Sequence, residues 1–154
     1  MMTSVARARA SIVVDCTDEK GTERLGRACA SALAVLERGP VLMTLSGELG
    51  AGKTTLVRAI LRGLGHTGVV PSPSYTLLQQ YEAGGWSVAH LDFYRLANAA
   101  DLENLGLREL LSDRGLLLVE WPENVAGGLP AADLVVLMAM QPGSRRAEFQ
   151  AGSP

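Results

Sequence analysis

A glycine-rich loop between an apolar segment and an amphipathic one constrains this 154-residue chain most. The letters GELGAGKT, residues 47–54, satisfy the pattern G-x-x-x-x-G-K-[ST]. The preceding VLMTLS is typical of a short strand, and the following TTLVRAILRGLG of a helix closed by glycines. This strand–loop–helix context predicts a phosphate-binding loop rather than a glycine-rich turn with a solvated lysine.

Each position of the loop has a physical task. Glycines let backbone N–H groups turn toward an anion with no Cβ in the way, and the positive end of the following helix points at the same place. Lys53 adds a positive charge at the β- and γ-phosphates of a nucleotide, and the hydroxyl of Thr54 is offered to Mg²⁺. We therefore expect the chain to bind ATP as substrate together with Mg²⁺.

Apolar strand patterns alternate with helical patterns along most of the chain, which predicts the α/β class. An apolar stripe at helical spacing from Leu25 to Leu36 predicts a first helix that runs up to Gly39-Pro40, and DLENLGLRELL predicts a short helix that Gly106 weakens. The segment GLLLVEW is apolar on both faces, as expected at the centre of a covered parallel sheet, while YTLLQQY and WSVAHLDFY flank Gly84-Gly85 and predict a hairpin. We predict a three-layer sandwich like that of phosphate-loop NTPases, with a mixed, partly parallel central sheet. It forms one domain over residues 1–154, with loose ends at about 1–10 and 150–154.

Two acids stand where strands are predicted to end. Glu120 follows LLLV and Asp92 follows VAHL. A phosphate-bound Mg²⁺ needs a further acid, and the carboxyl ends of strands converge on the ligand in open α/β sheets. We expect Glu120 to hold the metal and Asp92 to orient the attacking oxygen, with an ordinary surface acid as the alternative for each.

Other polar residues near these positions are weaker candidates. His90 would share the strand face of Asp92, although a structural histidine is the simpler interpretation. Arg95 is a candidate partner for phosphate charge or a solvated arginine. The hydroxyl residues of the proline-stiffened segment after the loop's helix could sense a γ-phosphate, or serve only as turn residues; they are Ser72, Ser74 and Thr76.

Composition excludes some classes of protein. The net charge of −2 argues against whole-molecule affinity for nucleic acid, which relies on many Lys and Arg contacts to phosphate. The apolar runs are too short to span a membrane, and the first residues make a poor signal peptide. We expect a soluble, cytoplasmic protein.

Five segments, in this order and spacing, carry a resemblance to a known family: GELGAGKTT, SPSYTLLQQY, HLDFYRL, LENLG and LVEWPEN. They closely resemble the bacterial TsaE family, formerly called YjeE. The resemblance runs from about Asp18 to the final strands. The loop alone is shared by many families, whereas HLDFYRL and VEWPEN together with it are specific.

The resemblance implies an ATPase needed for threonylcarbamoyladenosine formation at position 37 of tRNAs that read codons starting with A. Such a protein binds a TsaD–TsaB heterodimer, reaches tRNA only indirectly, and supports repeated turnover by hydrolysing ATP. Thr54 and Glu120 would hold Mg²⁺, and Asp92, with Lys53, would act in hydrolysis. The residues implied around the nucleotide are Thr17, Asp18 and Glu19 near the adenine, Gly47, Glu48, Leu49, Gly50, Ala51, Gly52, Lys53, Thr54 and Thr55 at the phosphates, and Trp121. Ser74 departs from the threonine expected in that family, although it keeps a hydroxyl.

Two other functions fit a phosphate-binding loop. A small-molecule kinase would need a mobile arginine-bearing lid, and the chain offers only Arg145-Arg146 in a late turn and no long lid segment. A nucleotide-binding interaction protein without hydrolysis is disfavoured by the presence of both Asp92 and Glu120.

Overall fold

The computed structural model describes residues 10–37 and 39–152. The strands are β1 (Ser11–Cys16), β2 (Val41–Ser46), β3 (Leu78–Ala83), β4 (Trp86–Asp92), β5 (Gly115–Glu120), β6 (Leu134–Gln141) and β7 (Ser144–Ala151). The helices are α1 (Glu19–Ala34), α2 (Lys53–Gly63) and α3 (Leu107–Leu110), with short 3-10 helices at Ala99–Leu105 and Pro122–Val125.

The strands of this part of the chain form one sheet in the order β1-β7-β6-β2-β5-β4-β3. Strands β6, β2, β5 and β4 run parallel to one another, whereas β7 runs antiparallel to both β1 and β6, and β3 antiparallel to β4. The mixed, partly parallel sheet is therefore confirmed, and the carboxyl ends of four neighbouring strands share one edge.

Each face of the sheet carries its own apolar core. Along β5, Leu116 and Leu118 pack with side chains of α1 and α2, while Leu117 and Val119 pack against the 3-10 helices and α3. This alternation follows from the two-residue period of a strand. It confirms the three-layer arrangement, with β5 buried along its whole length between two layers. The second outer layer consists of short elements rather than full helices.

The two long helices touch at a glycine. A Cβ on Gly26 of α1 would lie 2.2 Å from the Cβ of Ala59 on α2, so the helices can approach this closely only because residue 26 has no side chain. Asp18 caps the start of α1, where its carboxylate accepts a hydrogen bond from the Gly21 amide at 2.8 Å. This contact fixes the first turn of α1 beside the end of β1.

Some local predictions differ from the structure. The single helix expected over DLENLGLRELL is split at Gly106, which has a φ of 67° and ends the 3-10 helix before α3 begins. Helix α1 ends at Ala34 instead of continuing to Gly39-Pro40. Gln150 and Ala151, expected in a loose end, are paired residues of β7. Residues 1–9 and 153–154 of the expected loose ends lie outside the described residues. No helix within residues 10–37 and 39–152 has the length and apolar character needed to cross a membrane.

Candidate functional site

The loop after β2 wraps around an open concavity because three of its glycines adopt backbone angles that other residues rarely take. Gly47, Gly50 and Gly52 have φ values of 153°, 82° and 101°. Gly47 is also confined by packing, since a Cβ there would lie 2.3 Å from the carbonyl oxygen of Met138 in β6. The glycine spacing thus shapes the loop and lets it rest on the neighbouring strand.

Lys53, the first residue of α2, reaches back across this loop. Its Nζ donates to the carbonyl oxygens of Gly47 and Glu48, the latter at 3.0 Å, and lies 4.4 Å from the ring centroid of Trp121. Burial lowers the pKa of Lys53 below its ordinary value, and nearby carboxylates, Glu120 foremost among them, oppose that change. The ammonium group is held inside the loop, with the acids of the sheet edge beside it.

Thr54 and Glu120 are in direct contact. The Thr54 hydroxyl lies 3.0 Å and 3.1 Å from the two carboxylate oxygens of Glu120, which is only 2% exposed. Hydroxyl and carboxylate oxygens are ligands that Mg²⁺ prefers, so the pair fits this cation. Within the described ranges no group of three or more His, Cys, Asp or Glu side chains could hold a metal by itself. Waters and nucleotide phosphates would complete the coordination, as is usual for Mg²⁺.

Asp92 is buried beside these residues and is held by two donors. Its Oδ1 accepts from the Tyr94 amide at 2.9 Å and its Oδ2 from the Ser74 hydroxyl at 3.1 Å. The Ser72 and Ser74 hydroxyls are 2.8 Å apart, which connects the segment after α2 to the acid. Thr76, the third predicted hydroxyl, instead accepts a hydrogen bond from Gln79 at 3.1 Å.

These side chains surround a cavity of about 270 Å³, which adjoins a second cavity of about 330 Å³. The first is lined by Leu49, Gly50, Gly52, Lys53, Thr54, Thr55, Ser72, Ser74, Asp92, Tyr94, Glu120, Trp121 and Arg145. The second is lined by Cys16, Thr17, Asp18, Glu19, Thr55, Ser144 and Arg145. The residues predicted at the phosphates and those predicted near the adenine thus line two separate cavities, which are contiguous because Thr55 and Arg145 border both. Gly47, Glu48 and Ala51 lie outside both linings and contribute the loop backbone.

Trp121 turns the chain away from the sheet directly after Glu120. Its φ of 58° and ψ of 48° place a bulky residue in the left-handed region, which is rare and strained. The indole lies over Lys53 and 5.0 Å from the Tyr94 ring. The backbone turn therefore brings an aromatic wall to the cavity, as the family resemblance implies for this residue.

Arg145 and Tyr94 line the cavity, although the sequence does not predict either of them there. Arg145 is brought there by β7, whose register places it beside Cys16 of β1 and Met140 of β6. Its Nη1 lies 3.2 Å from the position that a Cβ on Gly52 would take. The prediction that Arg145 lies in a late turn is wrong, because the turn covers only Pro142 and Gly143 and Arg145 is paired within β7. Tyr94 belongs to the HLDFYRL motif and could have been chosen from it.

The structure also shows where Arg95 and His90 lie, two residues for which the sequence allowed two interpretations each. The Arg95 guanidinium lies 3.9 Å from the ring centroid of Tyr75 and is not part of the cavity lining. His90 is fully buried, and its Nε2 lies 2.6 Å from a carboxylate oxygen of Glu120. His90 therefore contacts the site from behind rather than facing the cavity.

Comparison with known proteins identifies the same family that the five sequence segments resemble. The family model described as "Threonylcarbamoyl adenosine biosynthesis protein TsaE" matches residues 16–147. A relative from Haemophilus influenzae, named "tRNA threonylcarbamoyladenosine biosynthesis protein TsaE", is 43% identical over 120 residues, which span 77% of this chain and 76% of the relative. A relative of the same name from Bacillus subtilis is 36% identical over 112 residues, spanning 73% and 70%.

A solved structure is similar over nearly the whole chain. The crystal structure of Bacillus subtilis YdiB superposes with a TM-score of 0.78 and 27% identity, covering 96% of this chain and 90% of YdiB. The sequence matches and the structural superposition therefore each cover most of the described residues. The chain belongs to the TsaE family.

Proposed function

We propose that this chain is a Mg²⁺-dependent ATPase that supports threonylcarbamoyladenosine modification of tRNA position 37. The pathway is taken from the family model and from the names of the relatives. The ATPase activity is argued from the site. In this proposal the chain works in the cytoplasm with a TsaD–TsaB pair and reaches tRNA through that pair.

The observation that carries the proposal is the convergence of four side chains on one cavity. Lys53 and Thr54 come from the start of α2, Asp92 from the end of β4, and Glu120 from the end of β5. A cation, a metal-binding hydroxyl and two acids are the groups that phosphoryl transfer to water requires. Their convergence favours hydrolysis over simple nucleotide binding.

In the proposed reaction the loop amides and the start of α2 bind the phosphates, and Lys53 exchanges its loop carbonyls for phosphate oxygens. Thr54 and Glu120 hold Mg²⁺, which when bound offsets the negative charge of the β- and γ-phosphates. Asp92 orients a water by accepting its hydrogen bond. The water oxygen bonds to the γ-phosphorus as the bond from that phosphorus to the bridging oxygen breaks. The proton that the water loses passes by way of Asp92 to the phosphate, and ADP and phosphate are released.

The second cavity suits the base end of the nucleotide. Thr17, Asp18 and Glu19 line it at the start of α1, and Arg145 stands between it and the phosphate region. Two contiguous cavities are what a mononucleotide needs, since its base and phosphates require different surroundings. Arg145 is placed to contact a phosphate or the ribose that connects the two regions.

We propose further that ATP hydrolysis times the association with TsaD–TsaB. The segment from Ser72 to Thr76 contacts Asp92 through the Ser74 hydroxyl, so a change at the γ-phosphate position can reach this segment. A nucleotide shifts such an equilibrium only if the partner binds the ATP and ADP forms with different affinity. The isolated chain should hydrolyse ATP slowly if the partner supplies part of the catalytic geometry.

The kinase alternative gains no support from the position of Arg145. A kinase lid must close over its acceptor, whereas Arg145 lies within β7 and is paired on both sides, with Cys16 and Met140. A strand held between two neighbours is a poor hinge. An ATPase needs no such lid, so the position of Arg145 supports the ATPase proposal over the kinase.

The test uses the full chain and its own TsaD–TsaB pair. Calorimetry would measure the affinity for the pair with ADP and with a non-hydrolysable ATP analogue, and ATP turnover would be followed with and without the pair. We expect different affinities, and stimulation that can reach about 10³-fold if the partner completes the site. Identical affinities together with no stimulation would reject the timing role and favour the kinase.

A further inference from the structure

The contact between His90 and Glu120 lies behind the cavity and has no part in the reaction described above. His90 is 0% exposed, and its Nε2 lies 2.6 Å from Oε2 of Glu120, which is itself 2% exposed. A polar contact so fully removed from water is costly to form unless both groups are satisfied. Burial of apolar surface therefore does not by itself explain why these two polar side chains lie here.

The surroundings of the imidazole indicate which ring nitrogen carries the hydrogen. Nδ1 of His90 is buried and has no hydrogen-bond partner among the described residues. A hydrogen on Nδ1 would thus point at no acceptor, whereas a hydrogen on Nε2 points at the carboxylate. The geometry favours Nε2 as the donor and Glu120 as the acceptor.

The other side chain that contacts Glu120, Thr54, cannot by itself fix the orientation of the carboxylate. The Thr54 hydroxyl has one hydrogen and lies almost equally far from both carboxylate oxygens, at 3.0 Å and 3.1 Å, so it does not select one of them. His90 contacts Oε2 alone. It approaches from β4, the strand hydrogen-bonded to β5, so its position is set by the sheet and not by the loop.

We propose that His90 is a positioning residue for Glu120: its Nε2–H fixes the carboxylate in the orientation that receives Mg²⁺ beside the Thr54 hydroxyl. This inference rests on the proposed function, because it assigns Glu120 to the metal. Partners that orient a metal ligand from behind commonly contribute 10- to 100-fold in metal affinity, so loss of His90 should change the Mg²⁺ requirement by about that factor. Nucleotide binding without Mg²⁺ should not change.

Two substitutions separate positioning from packing. His90→Leu removes the donor and fills the position with an apolar side chain, whereas His90→Gln places an amide N–H near the position of Nε2. Calorimetry would measure the affinity for ADP and for a non-hydrolysable ATP analogue over a series of Mg²⁺ concentrations and in EDTA. We expect His90→Leu to need roughly 10- to 100-fold more Mg²⁺ for the same affinity. His90→Gln should recover most of that loss, and both variants should match the wild type in EDTA.

A Mg²⁺ requirement of His90→Leu equal to that of the wild type would overturn the proposal, as would equal requirements of the two variants. If His90→Leu does not fold, His90→Asn replaces it in the comparison with His90→Gln. The asparagine amide is one carbon short of the Nε2 position, so it should behave like the leucine variant, and equal behaviour of Asn and Gln would reject the positioning role.

A measurement with His90 intact does not depend on whether a His90 variant folds. Nitrogen NMR of the imidazoles reports which ring nitrogen is protonated, and the chain has two histidines, so His66→Gln suffices for assignment. We expect a hydrogen on Nε2 of His90, and an unprotonated Nε2 would overturn the proposal. A wild-type chain that binds neither nucleotide would instead refute the proposed function, and the NMR result would still decide whether His90 donates to Glu120.

Discussion

Asp92 and Glu120 are register partners at the carboxyl ends of the adjacent parallel strands β4 and β5, yet their carboxylates have different hydrogen-bond donors. Asp92 accepts from the Ser74 hydroxyl and the Tyr94 amide, whereas Glu120 contacts the Thr54 hydroxyl and the His90 ring. The two acids thus lie side by side at the carboxyl ends of their strands but contact different neighbouring groups. Their substitution should produce different defects.

Glu120→Gln should chiefly disturb Mg²⁺ binding, because an amide is a poorer ligand than a carboxylate for a hard cation. We expect the Mg²⁺ concentration needed for nucleotide binding to rise at least about tenfold, as for other losses at a metal site. Calorimetry at a series of Mg²⁺ concentrations would measure the change. Glu103→Gln, on an exposed residue of the 3-10 helix, is the matched control and should leave the requirement unchanged.

Asp92→Asn should leave ATP binding largely intact and lower turnover by about 10²-fold or more, the usual contribution of a group that handles the proton of the attacking oxygen. Steady-state phosphate release, followed with and without TsaD–TsaB, is the measurement. Hydrolysis by the variant at the wild-type rate would show that Asp92 has no part in the reaction.

Lys53→Ala should weaken ATP binding more than adenosine binding, since in the proposed site the ammonium contacts the phosphates and not the base. Loss of charge-assisted hydrogen bonds worth about 1.5–3 kcal/mol corresponds to a roughly ten- to hundredfold weaker affinity for ATP. Calorimetric titration with both ligands measures the difference. Lys20→Ala, on the exposed surface of α1, removes the same charge and should have little effect. Equal losses for ATP and adenosine would contradict the role of Lys53.

Ser74→Ala removes the side-chain donor to Oδ2 of Asp92 but leaves the backbone donor from Tyr94. A hydrogen bond contributes about 1 kcal/mol net, so turnover should fall roughly five- to tenfold with little change in ATP affinity. Ser74→Thr keeps the hydroxyl and is the matched control, with turnover near that of the wild type. If alanine and threonine behave alike in turnover assays, the hydroxyl does not position Asp92.

Gly26→Ala tests the close contact between α1 and α2. Alanine in a helix normally stabilises relative to glycine by about 0.5–1 kcal/mol, but the new Cβ would lie 2.2 Å from the Ala59 Cβ. Overpacking should dominate and reduce the free energy of unfolding by about 1–3 kcal/mol, as measured by urea denaturation. Adding Ala59→Gly removes the nearest atom and should restore part of the loss. A more stable single variant would mean that the helices separate without cost.

The sequence by itself was sufficient to locate the loop at residues 47–54 and the two strand-end acids. These signals are local. Glycine spacing indicates a tight loop, and an acid at the end of an apolar run indicates the carboxyl end of a buried strand. The family segments were equally readable, because they are short stretches of adjacent residues. The same local reading failed for the helix around Gly106, where a left-handed φ outweighed the helical pattern on either side.

Only the tertiary structure decided what surrounds those residues. Arg145 reaches the cavity because β7 returns antiparallel between β1 and β6, and His90 meets Glu120 because β4 lies next to β5. Both contacts depend on strand order, which brings together residues far apart in the chain and leaves no periodicity in the sequence around either one. The strand order in turn follows from burying both faces of the sheet at once, a property of the whole fold rather than of any segment.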